Sequence, residues 1–245
     1  MRFSVTEFYG MTTHMAEASS DSNYTNEQML RFKSLLKRVR QAGIAVPTIS
    51  TDNSAALLTT NLTHFDPTEL LIQENAASSL GFVRTGGGIY GQRPAFRTLK
   101  DVSTLTASVS HVAVVQKGDS VGYDRAYIAP KETRIATITI GFADGYPRDL
   151  GNGKGSVSIH GEIFPIAGNV CMDMLMVDLG PAEDVKGIGS KVCVGDVAFL
   201  WGPENETDDS EGRIRLQDLA TQLGTTQSAL TCGLNKARVQ RQYID

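Results

Sequence analysis

The sequence predicts an α/β part over residues 1–100, built from β/α units that feed a parallel sheet, followed by an all-β module over residues 101–245. Two observations predict it. Through the first hundred residues helical and strand-like signals alternate, the rhythm of a parallel sheet with crossover helices. Beyond them short apolar strands follow one another, separated by Lys117-Gly118-Asp119, Gly151-Asn152-Gly153 and Val194-Gly195-Asp196, the residue types of tight turns.

One helix is especially clear in the first part. Thr25 and Gln28 have capping-box spacing, Met29, Phe32, Leu35, Leu36 and Val39 recur at helical intervals, and Gly43 stands where a C-terminal cap belongs. Ile44 to Ile49 reads as a buried strand, with Pro47 better suited to its edge, and Thr51-Asp52-Asn53-Ser54 reads as the turn after it. Gly81-Phe82-Val83-Arg84 is strand-like and runs into Thr85-Gly86-Gly87-Gly88, a loop where backbone amides can approach an anion without side chains in the way. In the second part strands are expected at Thr106 to Val115, Arg134 to Ile140, Ser156 to Ile159, Met174 to Val177 and Val197 to Leu200. A helix with Leu216, Leu219, Ala220 and Leu223 on one face interrupts them, and Arg238 to Tyr243 alternates like a closing strand. The acidic stretch Glu204 to Glu211 reads as a solvated loop rather than a metal site, since it lacks a rigid ligand spacing.

Composition narrows the function classes. With 41% apolar and 20% charged residues over 245 positions, the chain can bury a core as one large domain or two modest ones. A net charge of -4 gives no electrostatic reason to expect nucleic acid or an anionic membrane, so a small molecule is the better partner. No apolar run of about 18 residues exists to span a bilayer, and the first residues lack a signal peptide's apolar core, which places the expected location in the cytoplasm. Cys171, Cys193 and Cys232 are odd in number and lack metal-ligand spacing, as expected of reduced thiols, and no metal is expected. His64, His111 and His160 share no spacing of a metal site or triad, and His14 is assigned a structural role.

Several stretches together resemble the alanine racemase family, in the right order. Met11-Thr12-Thr13-His14 and Asn53-Ser54-Ala55-Ala56 resemble its late barrel segments, and Val83-Arg84 with the following glycines and Ile89-Tyr90-Gly91 resembles its cofactor loop. Ile140-Gly141-Phe142-Ala143-Asp144-Gly145-Tyr146-Pro147-Arg148, Pro165-Ile166-Ala167-Gly168, Cys171-Met172-Asp173 and Val177-Asp178-Leu179 then follow its β-domain pattern. The resemblance implies the last units of a pyridoxal-phosphate-binding (β/α) barrel followed by a C-terminal β domain. A parallel barrel does not close with about three units, so the chain is expected to be a fragment, a truncated product or dependent on another chain.

The resemblance also implies an isomerase that interconverts L-alanine and D-alanine with pyridoxal 5'-phosphate, working as a homodimer in which Phe142 and Met172 reach across to the partner. It places the cofactor phosphate against Ser54, Gly86 and Gly87, and Arg84 opposite the pyridine nitrogen, where a permanent cation disfavours protonation. It gives Met172 a backbone amide near the substrate carboxylate, with Asp173 in support. Read alone, the alternatives are that the glycine loop is a turn without ligand, Arg84 a barrel arginine in a salt bridge, and Cys171-Met172-Asp173 core packing beside a turn.

The departures from the family pattern bear on activity. Nothing here resembles the segment that carries the family's cofactor-bound lysine, and Lys100, Lys117, Lys154 and Lys236 lie in turn-like or charged surroundings. Phe142 stands where the family has its catalytic tyrosine, and phenylalanine cannot shuttle a proton. Tyr146, four residues on, is the substitute candidate; a further family tyrosine is expected where Gln227 stands. The alternative is a truncated or non-catalytic relative that binds a pyridoxal-phosphate-like ligand or a partner subunit.

Overall fold

In a computed structural model, residues 7–20, 22–58, 80–92, 99–202 and 213–243 are described. His64 and the acidic stretch Glu204 to Glu211 lie outside them. The chain divides into two units, Met1–Lys100 and Asp101–Asp245.

The first unit is a three-stranded parallel sheet in the order β1 (Gly10–Thr12), β2 (Thr48–Asn53), β3 (Leu80–Arg84). Between β1 and β2 runs α1 (Ser22–Gln41), which buries Thr25, Met29, Phe32 and Leu36 along one stripe because 3.6-residue spacing keeps these positions in line. Of these, Met29, Phe32 and Leu36 meet Met15, Val46, Ile49, Ala55 and Ala56 in one cluster.

Three local expectations need correction. Helix α1 begins at Ser22, so Thr25 lies inside it and is buried rather than capping its end. Gln28 is turned to the preceding loop instead: its Nε2 donates to the Thr13 hydroxyl (3.0 Å) and the His14 carbonyl (2.7 Å), and its Oε1 accepts from the Ala16 amide (3.1 Å). The second strand starts at Thr48 and continues through Thr51, Asp52 and Asn53, where a turn was expected, and Ser54 opens the short helix α2 (Ser54–Leu58). Parallel pairing with β1 and β3 satisfies this polar strand's backbone, which local residue preference does not anticipate. Gly43, at φ 75°, does terminate α1, its amide donating to the Arg40 carbonyl.

The second unit is built on a six-stranded antiparallel sheet. In chain order it uses β4 (Leu105–Val115), the two-residue strands β5 (Ser120–Val121) and β6 (Tyr127–Ile128), β7 (Thr133–Ile138), β8 (Ser156–Ile159), β9 (Glu162–Pro165), β10 (Leu175–Pro181) and β11 (Val197–Trp201). The sheet order is β10-β7-β4-β11-β8-β9, while β5 and β6 pair only with each other. A bridge from Ile166 to Val177 joins the end of β9 to β10, so the sheet closes on itself there and removes both edges locally. Its interior holds Val109, Ile138, Leu150, Val157, Ile159, Leu175, Leu200 and Trp201, with α3 (Leu216–Gln222) contributing Leu216, Leu219 and Ala220.

A second late helix, α4 (Gln227–Gly233), was not expected; Thr226 caps it by accepting from the Ala229 amide at 3.1 Å. The expected closing strand is also absent. Arg238 and Val239 donate their amides to the Asn235 carbonyl, a turn, and residues 239–243 are not in a strand.

At a hairpin end, Asp196 accepts from the Cys193 amide and meets His160 Nε2, both at 2.8 Å. The Cys193 amide first, and His160 next, hold this carboxyl below its ordinary value. Its contribution to stability is therefore complete above the unfolded carboxylate value of about 3.9 and is lost as pH falls through the lower folded value. Asp196→Asn is expected to flatten the acid limb of a melting-temperature profile taken below about pH 5, an outcome that calorimetry reads directly.

Candidate active site

Each unit carries its own polar constellation. In the first, parallel register sets Thr12 beside Ser50 on neighbouring strands, and Arg84 at the end of β3 reaches both. Arg84 Nη1 donates to the Thr12 hydroxyl at 2.7 Å and to the Ser50 hydroxyl; Nη2 donates to the Thr13 carbonyl at 2.9 Å. Nη2 also faces His14 Nδ1 at 3.2 Å, and Asn53 Nδ2 lies 3.3 Å from His14 Nε2 on the other side of the ring. Four partners fix the plane of the guanidinium, giving a permanent cation in one orientation rather than a mobile surface charge. Nearby Asp52 has its carboxyl raised chiefly by burial, opposed by the Thr51 hydroxyl and the Arg84 charge.

The loop after Arg84 wraps the start of α2. Ser54 is buried, and its Oγ accepts from the amides of Gly86 and Gly88, each at 3.0 Å. The sequence singled out Gly86 and Gly87; the structure ties Gly86 and Gly88 to the serine, and among the described residues the Gly87 amide has no partner. A methyl group on Gly86 would meet no atom within 4 Å, whereas one on Gly88 would come within 2.9 Å of the Thr85 hydroxyl. A hydroxyl that draws two glycine amides together, beside a third glycine, is the kind of small-residue donor loop that a phosphate dianion takes.

In the second unit two turns are joined by backbone. Phe142 donates its amide to the Cys171 carbonyl at 3.0 Å and Ala143 to the Met172 carbonyl at 2.9 Å. This approach requires glycine at 141, where a side chain would collide with the carbonyls of Cys171 and Met172. Phe142, Met172 and Met174 expose 40%, 54% and 44% of their surface, so this face is apolar and unburied within the unit. The Arg148 guanidinium sits 5.9 Å above the Phe142 ring, within cation–π range.

Asp144 anchors the first turn: it is 8% exposed, accepts from the Gly141 amide at 2.9 Å, and accepts from Arg238 Nε at 2.7 Å. Arg238 Nη2 donates to Asp173 at 2.6 Å, and Asn235 bonds both Asp144 and Ala143.

The expectation for Tyr146 does not survive its position. It is 1% exposed, its hydroxyl has no partner among the described residues, and burial pushes it well above the ordinary phenol range. A base must reach substrate and hold a workable pKa; Tyr146 does neither here and serves as core. Sequence reasoning also missed Arg238, Asn235, Thr12 and Ser50. Their partners lie up to 94 residues away, and no local signal marks such pairs.

Residues 102–243 match the family pattern described as "Alanine racemase, C-terminal domain". The chain belongs to the alanine racemase family. Residues 3–94 match the family's N-terminal domain. The alanine racemase of Treponema denticola is 34% identical over 248 residues, covering 98% of this chain and 58% of that relative. That of Methanococcus maripaludis is 32% identical, covering 97% and 58%. The chain thus spans little more than half the length of these relatives. Among solved structures, the Bacillus anthracis alanine racemase with bound L-Ala-P superposes with a TM-score of 0.74 at 27% identity, over 94% of this chain and 53% of that one. The Bartonella henselae enzyme with covalently bound pyridoxal phosphate gives 0.69 at 28%, over 96% and 56%. The fold is therefore the one expected, barrel units followed by a β domain.

Proposed function

We propose that this chain supplies the cofactor-orienting and substrate-facing surfaces of an alanine racemase, interconverting L- and D-alanine with pyridoxal 5'-phosphate. The clamped Arg84 beside the Ser54 loop is the observation that carries this reading. Pyridoxal phosphate, when bound, supplies the sink for the electron pair left when the α proton departs. Ser54, Gly86, Gly87 and Gly88 would hold its phosphate, and Arg84 would place a fixed positive charge at the pyridine nitrogen. In the β unit, Met172 would offer its backbone amide to the alanine carboxylate, with Asp173 in support, and the exposed Phe142, Met172 and Met174 surface would face a second copy in a homodimer.

A second reading rests on Phe142. The residue at the family's tyrosine position has no proton to move and Tyr146 is buried, so the chain equally suits a non-catalytic relative that binds the cofactor or a partner subunit.

One experiment separates these. The purified chain is titrated with pyridoxal phosphate, followed by absorbance, and assayed for D-alanine from L-alanine. Saturable binding with turnover supports the racemase, saturable binding without turnover supports the cofactor-binding, non-catalytic relative, and no binding overturns both of these and leaves only a relative that binds a partner subunit. Ser54→Ala is expected to weaken binding roughly tenfold, the loss of about one hydrogen bond to a charged group. An unchanged affinity would remove the phosphate from this loop.

A further inference from the structure

The two turns of the β unit are held by more than their shared backbone bonds. Arg238 stands between them with one nitrogen on each: Nε on Asp144, whose other oxygen holds the Gly141 amide, and Nη2 on Asp173, the neighbour of Met172. Asn235, three residues earlier, donates its side-chain amide to the Ala143 carbonyl at 3.0 Å and its backbone amide to the Asp144 carbonyl at 2.9 Å. The segment after α4 is thus pinned to the Phe142 turn by Asn235 and carries Arg238 to the Met172 turn.

A guanidinium suits this task because its donors diverge in one rigid plane and can serve two carboxylates at once, which a lysine ammonium on a flexible stem does not do in a fixed geometry. The Arg238 side chain is 44% exposed and that of Asp173 53%, so the Asp173 end is not required to fill the core. The Asp144 end is different, at 12%.

We propose that Arg238 is a positioning residue that couples the Phe142 turn to the Met172 turn, so that the ring of Phe142 and the backbone amide of Met172 are presented as one platform. The inference deepens the racemase reading and rests on it for its consequence, a correctly placed amide for the substrate carboxylate. The coupling itself is a property of this chain alone.

The test is amide hydrogen exchange on the full chain, read at Phe142, Ala143 and Cys171, whose amide donates to the Met174 carbonyl, with β4 and β7 as internal controls. Arg238→Met is expected to speed exchange at both turns roughly tenfold while the controls hold. Arg238→Lys restores one turn and not the other. Asp173→Asn also speeds exchange at Phe142, and in the Arg238→Met background it adds nothing further, because both changes cut the same link. Acceleration confined to the Asp144 side, full rescue of both turns by lysine, or additive effects of the two changes would each overturn the proposal. Should the unaltered chain bind pyridoxal phosphate and turn over alanine, Arg238→Met raises KM for alanine more than it lowers kcat; the reverse split also overturns it. Absence of turnover in the unaltered chain defeats the racemase reading and leaves the exchange result to decide the coupling.

Discussion

Trp201→Ala is expected to lower the stability of the β unit by about 3–5 kcal/mol, the usual cost of emptying a large aromatic site in a packed core. Trp201 is the only tryptophan and is 2% exposed. It ends β11, opposite Leu105 and just past a register shift in the β11–β4 ladder, among the buried residues of the main core. Its indole nitrogen is buried without a partner among the described residues, so nothing polar is gained by keeping tryptophan there. Trp201→Phe should therefore cost far less than alanine, about 1–2 kcal/mol of lost packing. Urea unfolding followed by far-UV circular dichroism measures both without relying on the removed fluorophore. A phenylalanine variant as unstable as the alanine one would mean that the indole N–H makes a bond this structure does not show.

The fold was legible where burial sets a short-range pattern. Ser156 to Ile159 was expected as a strand and is one, because an alternating Ser-Val-Ser-Ile run sits between Gly155 and the His160-Gly161 turn. The stripe Met29, Phe32, Leu36 was legible for the same reason. Where a segment's state depends on remote partners, local preference failed. Thr51 to Asn53 look like turn residues yet extend β2, where Asn53 pairs with Arg84 past a register shift. Arg238 to Tyr243 alternate like a strand, yet Arg238 is drawn into a turn by Asn235 and held by two aspartates.

The candidate site was half legible. Family resemblance named Ser54, Arg84, Gly86, Gly87, Phe142 and Met172, and the structure gives Ser54 and Arg84 converging bonds. What fixes Arg84 was not legible, since Thr12 and Thr13 lie 72 and 71 residues away and only the parallel register brings them near. The tyrosine four residues past Phe142 was misjudged because spacing along a chain does not report which way a turn aims a side chain. The short 3₁₀ turn over Phe142–Asp144 exposes Phe142 and sends Tyr146 into the core.

That same turn sets the second large effect. Gly145 has φ 96°, a left-handed conformation, and directly follows the turn. A methyl group there would collide with the Gly233 carbonyl and lie 2.7 Å from the Leu234 Cα, backbone atoms at the end of α4 that cannot rotate away. Gly145→Ala therefore combines a conformational penalty of about 1–2 kcal/mol with an overpacking cost of about 1–3 kcal/mol, and a loss of roughly 3 kcal/mol is expected. Relief requires the Phe142 turn to separate from the segment after α4. That movement stretches the Asn235 bonds to Ala143 and Asp144 and the Arg238 bond to Asp144. Gly153→Ala is the control: its φ is 75°, but nothing lies within 4 Å of the added carbon, so it carries the conformational penalty alone. Thermal unfolding should then rank Gly145→Ala well below Gly153→Ala, with faster amide exchange at Phe142 and Ala143 only in the former. Equal melting temperatures for the two would mean that the turn and α4 yield to each other freely, and that the Phe142 surface is not held by the packing described.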